Sequence, residues 1–142
     1  MKIKILILIF IFSFTKLFAD NIPVIVIAPG KSVQSYSTVG SSVSILDKKT
    51  LENSDEFFLG DILNNGLPGM NYFQSGGHGT TSGIQLRGLP KRYSTVYIDG
   101  VKMSDPSSSD NGFYFSSIMN SAIDRVEILR GSQSSLYGSS AI

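Results

Sequence analysis

The sequence predicts an α+β domain in which a small mixed β-sheet carries short helices and long loops. Three observations lead there. Short apolar runs alternate with polar residues and are punctuated by glycine, the pattern of brief, half-buried strands. Phe58, Leu59, Ile62 and Leu63 recur at the spacing that lines one face of a helix. Two stretches, Ser75 to Gly83 and Ser104 to Gly112, are dominated by glycine, serine and other small polar residues and read as loops.

Taken in order, Met1 to Ala19 reads as a secretory signal. Lys2 and Lys4 supply a positive start, Ile5 to Phe12 is an unbroken apolar run, and Ala19 is a small residue for cleavage before Asp20, although Leu17 departs from the small-residue pattern. The run is far shorter than the roughly 20 residues a spanning helix requires. Residues 20–37 then form a tail and linker. Its β-branched stretch Pro23, Val24, Ile25, Val26, Ile27 and Ala28 lies between two prolines, which cannot donate to a sheet ladder, so it is an edge strand or an exposed tail open to strand addition by a partner. Gly30 to Ser37 reads as polar linker.

The domain proper runs from 38 to 142. Val39 to Leu46 is a strand. Asp47 caps a short helix through Asn53, and Ser54 or Asp55 caps the helix of Phe58 to Leu63, which Gly66 and Pro68 stop. Strands follow at Met70 to Gln74, Ile84 to Arg87, Thr95 to Ile98 and Val101 to Met103, the last two joined by a tight Asp99-Gly100 turn. Ser116 to Ile123 is a short helix, and Arg125 to Leu129 alternates charge and hydrophobe as a half-buried strand does. If the strands around them are antiparallel, the two polar loops emerge at one end. Ser75, Gly76, Gly77, His78, Gly79, Thr80, Thr81 and Ser82 then share a surface with Asp105, Ser107, Ser108, Ser109, Asp110 and Asn111, with Tyr114 beside them.

Composition narrows the function. The chain carries 12 Lys and Arg against 11 Asp and Glu, but Lys2, Lys4 and Lys16 leave with the signal, so the mature domain is slightly acidic. That argues against nucleic acid as a partner, since phosphate binding needs a basic patch. The absence of Cys removes disulfides, thiolate metal sites and thiol catalysis, and a single His leaves no multi-histidine site. No cofactor is expected.

The candidate chemical motifs weaken on inspection. Gly76-Gly77-His78-Gly79 lacks the Lys-Ser/Thr that closes a phosphate loop, and no nucleophile elbow exists to pair with it as an oxyanion loop. Ser107 to Asn111 lacks the alternating ligands and terminal Glu of a calcium loop. The chain is not read as an enzyme.

More informative is a series of glycine-punctuated segments: Leu67-Pro68-Gly69, Leu86-Arg87-Gly88, Ile98-Asp99-Gly100-Val101, Arg125 to Gly131 and Leu136-Tyr137-Gly138. In this order and spacing they resemble the plug domain of TonB-dependent outer-membrane receptors, gated β-barrels that import scarce ligands. The resemblance covers Ile22 to Ile142 and is most specific from Arg125 to Gly138. Within the family it is most similar to the vitamin B12 and siderophore branch.

The resemblance implies that Pro23 to Ala28 is the TonB box, which pairs with the TonB protein in the periplasm. It implies that the two polar loops are apical, face outward and help hold cobalamin or a ferric siderophore. It also implies that Arg87 and Arg130 lock the plug to glutamates of a barrel wall; the plainer alternative for both is an exposed charge at a strand end. Family members continue beyond Ser139-Ser140-Ala141-Ile142 with a last plug strand and a transmembrane β-barrel, so a fragment of an outer-membrane transporter, not competent for transport alone, is expected. The alternatives are a soluble periplasmic ligand-binding or signalling module with a plug-like fold, and a Ser/Gly-rich surface adhesin.

Overall fold

A computed structural model describes residues 23–110 and 112–141. The expected signal segment, the start of the tail, Asn111 and Ile142 lie outside the described residues. The elements are β1 (Ile25–Val26), β2 (Gln34–Ser35), β3 (Ser42–Leu46), α1 (Lys48–Glu52), α2 (Leu59–Gly66), β4 (Met70–Gln74), β5 (Ser82–Leu86), β6 (Val96–Ile98), β7 (Val101–Met103), β8 (Val126–Arg130) and α3 (Ser134–Tyr137). Short 3-10 turns occupy Tyr36–Thr38, Lys91–Tyr93 and Asn120–Ala122.

The α+β class is what the chain adopts, but the sheet is divided. Among the described residues the strands pair as four antiparallel ladders, β1 with β2, β3 with β8, β4 with β5 and β6 with β7, instead of one mixed sheet. No ladder joins β6 to β8, and residues of both, Val96 to Ile98 and Val126 to Leu129, line one cavity of about 490 Å³.

Side-chain packing therefore unites the ladders. Leu46, Leu51, Leu59, Ile62, Leu63, Leu67, Met70, Ile84, Phe115 and Ile128 form one buried cluster. Leu59, Ile62 and Leu63 come from the apolar face of α2, as their spacing predicts. The helix lies close over β4: a Cβ on Gly60 would fall 2.6 Å from the Tyr72 ring, so only glycine permits this approach.

Local signals account for most boundaries. The Asp47 carboxylate accepts from the backbone N–H of Thr50 at 2.9 Å and starts α1. The Asp99-Gly100 turn has both residues at positive φ, 49° and 83°, as a tight hairpin between β6 and β7 requires. Two expectations are corrected. Neither Ser54 nor Asp55 caps α2, whose N-cap position is Phe58; the Leu59 N–H donates to the Ile118 carbonyl at 2.9 Å, a tertiary partner in place of a side-chain cap. The same pairing, Phe58 with Met119 and Asn120 N–H to Phe57 carbonyl, pulls Ser116 to Met119 out of helical geometry, leaving only the 3-10 turn Asn120–Ala122.

Candidate functional site

The tail is docked against the domain. Val26 is fully buried, while Val24, Ile25 and Ile27 are about half exposed. Of the two alternatives for the tail this leaves the edge strand and corrects the exposed tail, and it corrects the polar linker, since Gln34–Ser35 turns back to pair with Ile25–Val26. Beyond this two-residue ladder the Tyr36 N–H donates to the Val24 carbonyl at 2.7 Å, and side chains hold the rest of the tail. The N–H groups of Ile27 and Ala28 both donate to Glu127 Oε2 at 2.8 Å. Glu127 Oε1 takes Arg125 Nε at 3.0 Å, and Arg125 Nη2 donates to the Ile25 carbonyl. The Tyr137 hydroxyl donates to the Ala28 carbonyl. Burial pushes the Tyr137 phenol above its ordinary range, and Lys31 lies 4.8 Å from the centre of its ring.

Sequence reasoning misses this clasp. In the sequence Arg125 and Glu127 stand only as the polar half of a strand's alternation, and Tyr137 only as part of a glycine-flanked segment. An isolated charged pair on a strand gives no sequence signal of a partner about 100 positions away.

The polar loops hold their own shapes. Ser75, Gly76, Gly77, His78, Gly79, Thr80 and Thr81 are all exposed. The Ser75 N–H donates to the Thr81 carbonyl at 2.9 Å, and the Thr80 hydroxyl to the Gly77 carbonyl at 2.8 Å. His78 stacks on Phe58 with ring centroids 4.0 Å apart. Ser82 does not belong to this surface: it opens β5, is fully buried, and its hydroxyl accepts from the Ser116 N–H at 3.2 Å.

In the second loop, Asp105 accepts from the N–H of Ser107 at 2.9 Å and from its hydroxyl at 2.6 Å. Asp110 accepts from the Ser108 hydroxyl and from the Gly112 N–H. These bonds hold both carboxyls below the usual carboxylate range, those from Ser107 for Asp105 and from Ser108 for Asp110 contributing most. Ser107 and Ser109 are exposed, while Asp105, Ser108 and Asp110 are half-buried.

Tail and loops occupy different ends. Leu86 closes β5 away from the hairpin tip, and the Asp99-Gly100 turn begins β7; both line a cavity of about 610 Å³ beside Ile27 and Ala28. The other ends of β5 and β7 lead into the two polar loops. Five residues of β5 therefore separate the ends by about 16 Å.

Arg87 and Arg130 converge on the turn after α2. The Arg87 N–H donates to the Gly69 carbonyl at 2.7 Å, in a tight turn where Arg87 and Gly88 have φ of 53° and 76°. Arg130 Nη1 meets Ser44 Oγ at 2.5 Å and Nη2 meets the Pro68 carbonyl at 3.5 Å. Arg87 is exposed and Arg130 half-buried with its Nε unpartnered. Among the described residues neither meets a carboxylate.

Comparison with known proteins bears on these arrangements. Residues 35–142 match the family model described as TonB-dependent Receptor Plug Domain. The vitamin B12 transporter BtuB of Vibrio vulnificus strain YJ016 is 34% identical over 118 residues, and that of strain CMCP6 is 30% identical over 118 residues. The vitamin B12 transporter BtuB of Photobacterium profundum is 31% identical over 119 residues. These alignments take in 83% or 84% of this chain but only 19% of each relative, so the chain spans about a fifth of the length of the curated relatives it matches. The chain belongs to the TonB-dependent receptor plug domain family.

Proposed function

We propose that the chain is the gate of an outer-membrane transporter for cobalamin. In this reading the loop end faces the ligand, and Pro23 to Ala28 is the segment that the TonB protein takes hold of from the periplasmic side. The observation that carries it is the polarity of the domain: a short edge strand held by a two-residue ladder and by side chains at one end, and a surface of glycines and hydroxyls at the other.

Each end suits its part. The tail's peptide groups are tied by a ladder of only two residues, by the Tyr36 N–H and by Glu127, Arg125 and Tyr137, so a longer competing strand could replace the backbone bonds it displaces. Neither loop contains a Lys or Arg, and the Lys91 ammonium beside the second is paired with Asp110, which favours a ligand bound through hydrogen bonds over an anionic ferric chelate. Cobalamin is chosen over a ferric siderophore on this ground and because the relatives named above are vitamin B12 transporters. Arg87 and Arg130 fit the same reading: neither meets a carboxylate among the described residues, Arg87 is exposed, and Arg130 would exchange its bonds to Ser44 and Pro68 for a carboxylate on an enclosing barrel.

The test is a chimera. Residues 23–142 replace the corresponding stretch of the Vibrio vulnificus transporter, and uptake of labelled cyanocobalamin is measured with and without TonB. TonB-dependent uptake is expected. Uptake of a ferric siderophore instead would move the ligand assignment, and uptake that ignores TonB would remove the tail's role.

A further inference from the structure

We propose that Lys91 is a positioning residue that ties the two polar loops into one surface, a role that rests on those loops facing the ligand. Lys91 belongs to neither loop. It opens the 3-10 turn Lys91–Tyr93, between β5 and β6.

Its stem runs through a cleft that two glycines leave open. A Cβ on Gly83, where the first loop ends, would fall 2.8 Å from Lys91 Cδ; a Cβ on Gly112, where the second ends, would fall 3.4 Å from Cδ and Cε. Thus the base of the first loop, where it enters β5, and the close of the second loop pack against one aliphatic chain. Any larger residue at Gly83 would collide with it, and one at Gly112 would crowd it.

The ammonium group then engages the second loop. Nζ lies 3.1 Å from Asp110 Oδ2 and 5.4 Å from the centre of the Tyr114 ring. The side chains of Lys91 and Asp110 are only 18% and 28% exposed, so water and salt screen this pair less than a surface pair. Asp110 is itself joined to Ser108 and Gly112, so the pair grips the internal hydrogen-bond framework of that loop. Lysine suits the position because a slim stem can pass between backbones while its charged head reaches a carboxylate.

Each loop keeps its own turn through bonds of short reach, and these do not set where one loop stands relative to the other. Lys91 adds such a constraint to those of the His78–Phe58 stack and the Ser116–Ser82 bond. A ligand spanning both loops would then meet a preformed surface and lose less ordering entropy on binding.

The absence of cysteine makes a direct test clean. Thr80→Cys and Ser109→Cys, both at exposed positions, take nitroxide labels in the full chain, and pulsed electron resonance reads the distance distribution between them. One narrow distribution is expected. Lys91→Met, which keeps the stem and removes the charge, and Asp110→Asn, which keeps the shape, should each broaden it roughly twofold with little change in unfolding midpoint. If Lys91→Met does not fold, Asp110→Asn decides. An unchanged width in Asp110→Asn overturns the proposal. Because the readout needs no ligand, failed cobalamin uptake by the chimera would remove the functional reading and leave this tie standing, whereas an unchanged width would do the reverse.

Discussion

At the tail end, Glu127, Arg125 and Tyr137 bond to residues 99 to 109 positions away, whereas at the loop end most bonds span only two or three positions. The difference decides how each end can move. Long-range bonds to a short segment are lost together if it lifts away, and the ladders beneath keep their own hydrogen bonds. Short-range bonds travel with their loop, so a loop can swing without losing its turn. Bonds of the first kind permit a segment to detach as a unit, bonds of the second kind permit a loop to keep its shape, and both ends stand on the same buried cluster.

The largest perturbation tests that shared platform. Leu63→Ala removes an almost fully buried side chain from α2 and should cost about 2–5 kcal/mol, read as a lower urea midpoint. Tail and loops should then be lost in one transition. Two separate transitions would mean that the ends do not share a base.

Next in size is an insult confined to the loop end. In Gly83→Ala the new methyl meets Lys91 Cδ at 2.8 Å and Phe73 Cζ at 2.9 Å, and because the lysine stem can move aside the overpacking is expected to cost about 1 kcal/mol, the low end for such insertions. Amide exchange should quicken in both polar loops but not at Ile25 to Ala28. Quickening at the tail would join what the comparison separates.

The mirror experiment is no larger. Glu127→Ala leaves the N–H groups of Ile27 and Ala28 without their acceptor and Arg125 without its carboxylate, for a local loss of about 1 kcal/mol because the site is partly open to water. Protease cleavage between Pro23 and Gly30 should rise while the unfolding midpoint barely shifts. Unchanged cleavage would mean that Val26 burial alone holds the tail.

How much of this was legible depended on how local the cause is. Asp47 caps within three positions and Asp99-Gly100 sets its own dihedrals, so both could be read directly. The α2 face was legible because burial follows the helical period. Ser82 was not, since its burial depends on Ser116 across 34 positions. The division into four ladders was hidden for the same reason, because strand pairing is long-range and the cavity that β6 and β8 both line leaves no trace in either strand. At the candidate site, the loop residues were found by composition, while Lys91, Arg125, Glu127 and Tyr137 emerged only with the fold. Each acts through a partner distant in sequence, and pattern alone does not name such partners.

The smallest effect separates the ends by pH, in opposite directions. At the loop end, the Ser108 hydroxyl and Lys91 hold the Asp110 carboxyl below its ordinary 3.8. Its contribution is therefore fully present above 3.8 and lost as pH falls through the lower folded value, and Asp105 follows the same rule through its bonds to Ser107. At the tail end, burial holds the Tyr137 phenol above its ordinary 10.0. The neutral phenol is favoured in the folded state, so its contribution is intact below 10.0 and lost as pH rises through the folded value, where ionisation also removes the proton donated to Ala28. Nitroxide mobility at Ser109→Cys should accordingly increase on the acid limb, and mobility at Ile27→Cys on the alkaline limb. Loosening of both labels on one limb would mean that the two ends are coupled through the core, and the contrast drawn between them would fall.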